Sequence, residues 1–511
     1  MGEKKSTKEI AEIVAHSRYA QTKWAALSYK ERQQRLKKAA QFLGDHVDEV
    51  TEIIHQDNGK VKLDALATEV LPAVMALSYY IKQGKRLCRD ERIYGGNSLM
   101  FNKRSRITYK PYGVVGVISP WNYPFAIPFS EVVMALLAGN AVILKVASST
   151  LKVGRILASV FAAAELPAGL FTYVEMPGKE AGAAFIHGGI DKLFFTGSTA
   201  VGRALMALAA PRLLPLVLEL GGADAAIIRA DADIEKAVNG MVWAGFSNAG
   251  QSCGGVQRVF VHNAIYEPFL QTLSSVTEIL RVGDGRTGVI SDHKGMDYDI
   301  GPMSSLKQKQ AVAKQVEACL KMGAKVAAKS AGNLNDNSLL APAIALTNVQ
   351  RDMPIMKEEV FGPVLAVVPV YSDEEAVKLA NESSYGLTAS VWSRNRGLAR
   401  KLAARINAGA VMINDHLMSH GLAETPWGGF GDSGLGRTHG AMGFHEMLKA
   451  QVIVDDTLPF VKRNLWWQPY SEKTYKGMRA ITEMLAGTKL RNRIAAIPDV
   501  IKIFFRYWAS H

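Results

Sequence analysis

The sequence predicts an α/β fold in which two parallel sheets, each covered by helices, follow one another along the chain. Two runs of short β-branched segments alternating with helical stretches carry this reading, one from Val114 and one after Gly221-Gly222. A third observation is the different pattern ahead of them. From about Ser6 to Cys88 apolar residues recur three and four apart, as in AALSYKERQQRLKKAAQFLGDHV and LDALATEVLPAVMALSYYIKQG, which reads as an α-rich N-terminal layer. After Gly95-Gly96 the pattern changes to alternation in SLMFNKRSRITYKPYG, which suits a β-hairpin arm able to lie on another subunit. The first α/β run then reads VVGVI, a helix from about Phe129, AVILK, a second helix, LFTYV, and LFFTGS with a further helix. The second reads DAAIIRAD, the helix of DADIEKAVNGMVWAGF, VQRVFVHN, KVAAKS, LAVVPVY and VMIN. The last 50 residues form a basic, aromatic, helix-prone tail.

At 511 residues and 48% hydrophobic content the chain can bury a large core, and its length suits two to four domains. Its three cysteines, Cys88, Cys253 and Cys319, are far apart and show no CxxC spacing, so free thiols in a reducing cytosol are expected. The opening MGEKKSTKEIAEIVAHSRYA has no uninterrupted apolar stretch, and no run of about 20 uncharged apolar residues occurs anywhere, so neither a signal peptide nor a spanning helix is expected. The net charge of +13 is unevenly spread. From Leu458 to the end, ten Lys or Arg face only Glu472, Glu483 and Asp499.

Cys253, in NAGQSCGGVQRV, is on spacing alone a lone thiol, and such residues are most often buried as small hydrophobes. Its setting points elsewhere: Gly250, Gly254 and Gly255 leave room for the close approach of a ligand and keep the thiol in a turn. A reactive thiol also needs help in losing its proton. Glu219, in PLVLELGGADAA, ends an apolar run just before two glycines, where a carboxylate is costly unless used or paired. It is either a salt-bridge partner at a strand end or a general base of raised pKa acting on the thiol or a water. Asn122, in VISPWNYPFAIP, sits on a Pro-rich turn after a strand. It serves either as turn chemistry or, with the backbone N–H of Cys253, as an oxyanion donor.

The motifs PWNYP, LELGG, GQSC, EEVFGPV, YGLTAS and PWGGFGDSGLGR occur in an order and spacing that resemble the aldehyde dehydrogenase superfamily, from about Arg106 to Asp456. The resemblance implies a Rossmann-type cofactor domain, an α/β catalytic domain and a small β oligomerisation arm. It places the first at 1–94 with 112–221, the second at 222–446 and the arm at 95–111 with 447–458, leaving 459–511 as the tail. It further implies that Cys253 attacks an aldehyde carbonyl, and that Asn122 and the Cys253 N–H hold the thiohemiacetal oxyanion. Hydride then passes to a nicotinamide ring, and a water activated by Glu219 hydrolyses the thioester to a carboxylic acid. Relatives that pass the acyl group to coenzyme A usually lack this glutamate. An acyl transfer to coenzyme A and a catalytically silent scaffold are the competing readings, and the retained Cys253, Glu219 and Asn122 speak against both.

For the cofactor, NAD or NADP, the usual GxGxxG loop is absent after a strand, and LFFTGSTAVGR supplies a strand, a turn and a helix N-terminus instead. The resemblance assigns Gly197, Ser198 and Gly202 to that site, with Trp121 beside it. Lys145, at the end of AVILK, is assigned to the adenosine ribose. Glu359 and Phe361 are assigned to the nicotinamide ribose and ring. Where many NAD-preferring members carry a glutamate three residues after that lysine, this chain has Ser148, which makes a 2′-phosphate admissible.

The segment NDHLMSHGLAETPWGG is expected to border the substrate tunnel, with His416, Met418 and His420 as candidate lining and no histidine given a catalytic role. No metal site is expected. In the tail, basic residues interleave with Trp466, Trp467, Tyr470, Tyr475 and the closing IKIFFRYWASH. This suits either packing on the protein's own surface or a neighbouring subunit, or an interfacial helix on anionic lipid. The lipid alternative favours medium- or long-chain aliphatic aldehydes. Without lipid, small aliphatic or aromatic aldehydes, or a semialdehyde of the succinate type, remain open. The expected protein is a cytoplasmic homodimer or homotetramer, with peripheral membrane contact through the tail as the one addition and no nucleic-acid partner.

Overall fold

Helical segments fill the N-terminal region: Thr7–Ala25, Tyr29–Asp45, Val47–Asn58, and then Lys62–Ala65, a π turn Leu66–Val70 and Leu71–Leu87. Local chemistry sets their ends. Ser28 and Glu31 form a reciprocal capping box at the second helix, and Gly59, with φ of 84°, closes the third in the left-handed conformation that glycine adopts without penalty. The computed structural model describes residues 7–94, 100–287, 298–461 and 463–507, so the tip of the expected arm, 95–99, lies outside the described residues.

The chain divides into two compact units, Met1–Arg89 with Lys110–Lys449, and Asp90–Tyr109 with Ala450–His511. Two sheets organise the first. A six-stranded sheet has the order Gly434–Leu435, Leu216–Glu219, Lys192–Thr196, Val114–Ile118, Ala141–Lys145, Phe171–Tyr173, and all neighbours are parallel except the first pair. Its chain runs outward from Val114–Ile118 in one direction and returns to continue from Lys192–Thr196 in the other. The crevice beyond the carboxyl ends of those two strands is therefore the topological switch point, where open α/β sheets bind ligands.

The seven-stranded sheet has the order Lys325–Lys329, Ile344–Thr347, Val364–Val370, Val256–His262, Asp224–Ile228, Thr388–Trp392, Ala410–Ile413, and is parallel apart from its first pair. Its central strands are buried on both faces, as their unbroken apolar runs require. The helix expected from about Phe129 spans Ala126–Ala138 and is buried along its whole length. It starts early because the Glu69 carboxylate accepts from the N–H groups of Phe125 and Ala126, a cap from a distant segment that local sequence does not announce.

Glu91–Ile93, Lys103–Pro111 and Leu448–Asp456, which lie mostly in the second unit, form a three-stranded sheet. The tail forms two helices, Glu472–Ala486 and Leu490–Phe504, packed through Leu465, Ile481 and Ile503. Among the described residues no helix is long and apolar enough to cross a membrane.

Candidate active site

Cys253 lies on the turn that enters the Val256–His262 strand at its amino end. The approach is unusual backbone: Asn248, Ala249 and Gly250 all have positive φ, at 52°, 55° and 68°. Non-glycine residues pay about 1–3 kcal/mol each for such conformations, so the turn must be held by its surroundings. Asp64 accepts from the Asn248 N–H at 3.1 Å and from Ser247 Oγ at 3.3 Å. The Asn248 amide donates to the carbonyls of Asn122 and Gln251. Gly250 is needed here for a second reason, because a Cβ would stand 2.2 Å from the Gly362 carbonyl oxygen. A Cβ on Gly254 would stand 2.6 Å from the Trp427 indole. The Cβ directions of Gly250 and Gly254 are thus taken by the protein's own backbone and the Trp427 ring, while Gly254 also lines the cavity that opens on Cys253.

Asn122 is buried on the turn after Val114–Ile118. Its side-chain amide donates to the Gln251 carbonyl at 3.0 Å, which fixes the amide plane and leaves its second N–H uncommitted. Its own carbonyl accepts from Lys60 Nζ at 2.9 Å. Lys60 is fully buried, pairs with Glu69 at 2.7 Å and lies 4.0 Å from the centroid of the Tyr123 ring. Lys60, Asp64, Glu69, Asn248 and Gln251 thus form a polar scaffold that the sequence reading missed. Its one local signal is Glu69, a charge at an inward position of the helical run Leu66–Leu87, since Lys60 lies in the link after Gly59.

Glu219 ends the Leu216–Glu219 strand, buried, and neither carboxyl oxygen has a hydrogen-bond partner among the described residues. Burial raises its pKa well above the ordinary carboxylate value. The carboxylate of Glu131 adds to the rise and Arg437 opposes it. Glu131 itself is pushed up to about 8 by burial. The Cys253 thiol is raised by burial and then by the negative fields of Glu359, Asp224 and Glu219, so it rests as the neutral thiol.

Two cavities meet at Cys253. One is lined by Trp121, Asn122, Thr196, Gly197, Ser198, Glu359 and Phe361, and it occupies the switch-point crevice. Trp121 and Phe361 meet edge to face in it, with centroids 5.5 Å apart. The Glu359 carboxylate accepts from the Gly222 N–H at 3.1 Å, and burial raises it to about 7. The chemistry of this cavity fits a dinucleotide. Ser198 caps the Thr199–Ala209 helix without spending its side chain on the helix N–H groups, and the buried Thr196 hydroxyl has no partner among the described residues.

Three of the expected cofactor residues lie outside that lining. Gly202 is turned toward Leu220, where a Cβ would come within 2.7 Å, so it serves the contact of helix with strand end. Lys145 is buried at the carboxyl end of Ala141–Lys145, beside Ile118, and burial lowers its pKa. Ser148 is exposed on the turn that follows.

The second cavity opens from the other side of Cys253 and is lined mainly by apolar side chains, among them Leu71, Met75, Trp243, Met418, Leu422 and Trp427. His420 also lines it and meets the Trp427 ring edge to face at 4.8 Å. His416 does not line it. That ring is buried within hydrogen-bond distance of Ser390 and Thr388, and burial lowers it to about 4, so the expectation for His416 is corrected to a neutral structural residue.

This geometry, a thiol between a switch-point crevice and an apolar tunnel, is accompanied by similarity over nearly the whole chain. Residues 2–453 match the aldehyde dehydrogenase family, and the chain belongs to that family, as the six motifs imply. It is 36% identical over 478 residues to a 4,4'-diapolycopene aldehyde oxidase of Methylomonas sp, covering 94% of this chain and 87% of that one. A putative succinate-semialdehyde dehydrogenase [NADP(+)] 2 of Mycobacterium ulcerans is 32% identical, with 88% and 84% covered. A crystal structure of betaine aldehyde dehydrogenase from Staphylococcus aureus in complex with NAD+ superposes with a TM-score of 0.82 at 27% identity, covering 91% of this chain and 90% of that one.

Proposed function

We propose that this protein oxidises an apolar, extended aldehyde to its carboxylic acid with NAD or NADP, acting through Cys253. The observation that carries the reading is the position of Cys253 at the junction of two cavities of opposite chemistry. The crevice holding Trp121, Gly197, Ser198, Glu359 and Phe361 takes the dinucleotide, which when bound supplies the hydride acceptor. Lys145 and Ser148, at the same edge of the sheet, face its adenosine end. The division after Gly221 separates the cofactor-binding part of the chain from the catalytic part.

Cys253 adds to the aldehyde carbon from the tunnel side, and its proton passes to a base. Glu219 suits that role because it is a carboxylate kept free of hydrogen-bond donors, with a pKa raised toward that of its partner. The oxyanion that forms on the substrate accepts from the uncommitted N–H of Asn122 and from the Cys253 backbone. After oxidation the acyl group remains on sulfur as a thioester. Glu219, having given the thiol proton up to solvent, draws a proton from water as that water attacks the acyl carbon, and returns it to the departing sulfur, releasing acid and thiol. Aldehyde, water and oxidised cofactor are consumed, while acid, reduced cofactor and one proton are formed.

The tunnel lining supports an apolar substrate. It contains no lysine or arginine to hold the distal carboxylate of a semialdehyde. The Methylomonas relative, whose name gives 4,4'-diapolycopene aldehyde, is consistent with this, and a match of 478 residues necessarily runs past the point where the family match ends. We further propose a homo-oligomer built through the β arm, and a cytoplasmic enzyme whose basic tail touches a membrane surface.

The test is a panel of long-chain apolar aldehydes and succinate semialdehyde, each with NAD and with NADP and without coenzyme A. Reduced cofactor should form fastest with the apolar aldehydes. No reduced cofactor with any of them rejects the reading, and a preference for succinate semialdehyde rejects the substrate class.

A further inference from the structure

The tail contains a second site that aldehyde oxidation does not use. Where the amino end of the Glu472–Ala486 helix meets the carboxyl end of the Leu490–Phe504 helix, a pocket is lined by Arg463, Lys473, Lys502 and Arg506, together with Ser471 and Thr474. No carboxylate lines it. Among the described residues Arg463 and Lys473 have no ion-pair partner, and Lys502 reaches Asp499 only at 3.9 Å. The Arg506 guanidinium is fixed by donating to Thr474 Oγ1 at 2.6 Å, to the Pro469 carbonyl at 3.0 Å and to the Trp467 carbonyl, while its buried Nε has no partner. Arg463 stands close enough to lower the Arg506 pKa further, after burial. A protein brings like charges together without an acid at a cost, and an anion in the pocket removes that cost.

The surface around this pocket is apolar in an ordered way. Leu490, Ile494, Ile497, Ile501 and Phe505 are all exposed, and their spacing of four, three, four and four residues places them on one stripe of the helix. Phe505 is both the end of the stripe and part of the pocket wall. Arg491 and Lys502 each follow a stripe residue by one position, which sets them about 100° around the helix, along its flank. The opposite flank is used for packing, through Ala496, Val500 and Ile503. Tyr470, also exposed, stands at the pocket rim. An apolar stripe edged by cations, with a cationic pocket at its end, matches an anionic bilayer: acyl chains meet the stripe and a headgroup phosphate fills the pocket.

We propose that this pocket binds the phosphate of an anionic phospholipid headgroup while the Leu490–Phe505 stripe enters the acyl region. The inference rests on the reading that the tail meets a membrane, and it adds the site and its ligand. Full-length protein is sedimented with vesicles of phosphatidylcholine alone, and with vesicles carrying equal charge as phosphatidic acid or as phosphatidylglycerol. Wild-type protein should bind both anionic vesicles and prefer phosphatidic acid, whose monoester phosphate is the more accessible. Arg463→Gln/Lys473→Gln should weaken binding about 30-fold and abolish the preference, since each cation near an anionic surface is worth about fivefold. Lys489→Gln/Arg493→Gln, two tail cations outside the pocket, should weaken binding and keep the preference. If wild-type protein ignores anionic vesicles, the membrane reading itself fails. If it binds them but the pocket variant retains the preference, the pocket assignment alone fails. Sedimentation velocity of Ile494→Glu/Ile501→Glu covers the remaining occupant: the oligomeric state should not change, and dissociation would show that a second copy of the chain covers the stripe.

Discussion

Replacing Lys60 with methionine removes the cation that ties the N-terminal helices to the Asn122 turn. In the wild-type chain Lys60 Nζ lies 2.7 Å from Glu69 and 2.9 Å from the Asn122 carbonyl with no solvent exposure. Breaking a buried pair by deleting one member costs about 3–5 kcal/mol, because the other charge is left without compensation. The lower end applies here, since Glu69 keeps the N–H groups of Phe125 and Ala126. In a cooperative unit of roughly 400 residues 1 kcal/mol corresponds to about 1 °C in Tm, so a fall of about 3–4 °C is expected. The double variant Lys60→Met/Glu69→Leu removes the stranded carboxylate but orphans two backbone donors at about 1–3 kcal/mol each, so its cost is less than the sum of the two single changes. Activity separates from stability in this pair. Both variants lose the Lys60 anchor on Asn122, so kcat should fall about tenfold or more in each, short of the roughly 10²–10³ for complete loss of an oxyanion donor. Differential scanning calorimetry and steady-state kinetics with one aldehyde measure the two effects. A Tm change under about 1 °C, or an unaltered kcat in both variants, would refute the claim that this pair positions the site.

Four further outcomes follow from the same geometry. Glu219 accepts a proton only as the carboxylate, and its raised pKa moves that form to higher pH, so turnover should climb on the alkaline side of the ordinary carboxylate range. Glu131→Gln removes a negative neighbour, lowers the Glu219 pKa and should move the rising limb of the pH profile of kcat to lower pH; an unmoved limb, or one moved upward, counts against the pairing of these two carboxyls. Cys253→Ser should abolish formation of reduced cofactor while leaving NAD(P) binding, followed by protein fluorescence, close to wild type; full activity would reject the nucleophile. Ser148→Glu puts a negative charge on the exposed turn beyond Lys145 and should lower kcat/KM with NADP relative to NAD, and an unchanged ratio would show that the turn does not meet the 2′ position.

Residues that reach the candidate site from the ends of strands were legible in the sequence. Asn122, Gly197, Ser198 and Glu219 each follow or close an apolar β-branched run, so the strand pattern itself located them at the edge of a sheet. Gly202 acts one step back from the crevice: its missing side chain lets Leu220, which lines the crevice, pack against the helix, a contact that sequence spacing does not display. The Lys60, Asp64 and Glu69 scaffold was not legible, because each residue acts on a turn at least 50 positions away and a charged residue in a helical pattern reads as solvated. The tunnel was half legible for a related reason. Met418 and His420 lie in the expected segment, whereas Leu71, Met75 and Trp243 come from helices whose apolar faces look like ordinary core. A cavity is the place where core residues fail to meet, and periodicity cannot tell a side chain facing a neighbour from one facing a gap. This bears on chemistry as well as packing. The strained 248–250 turn presents Cys253 to that gap, and burial, then the acids around it, raise the pKa of the thiol. Reactivity at this site is therefore a property of the local turn together with the distant segments that hold it and assemble around the cysteine.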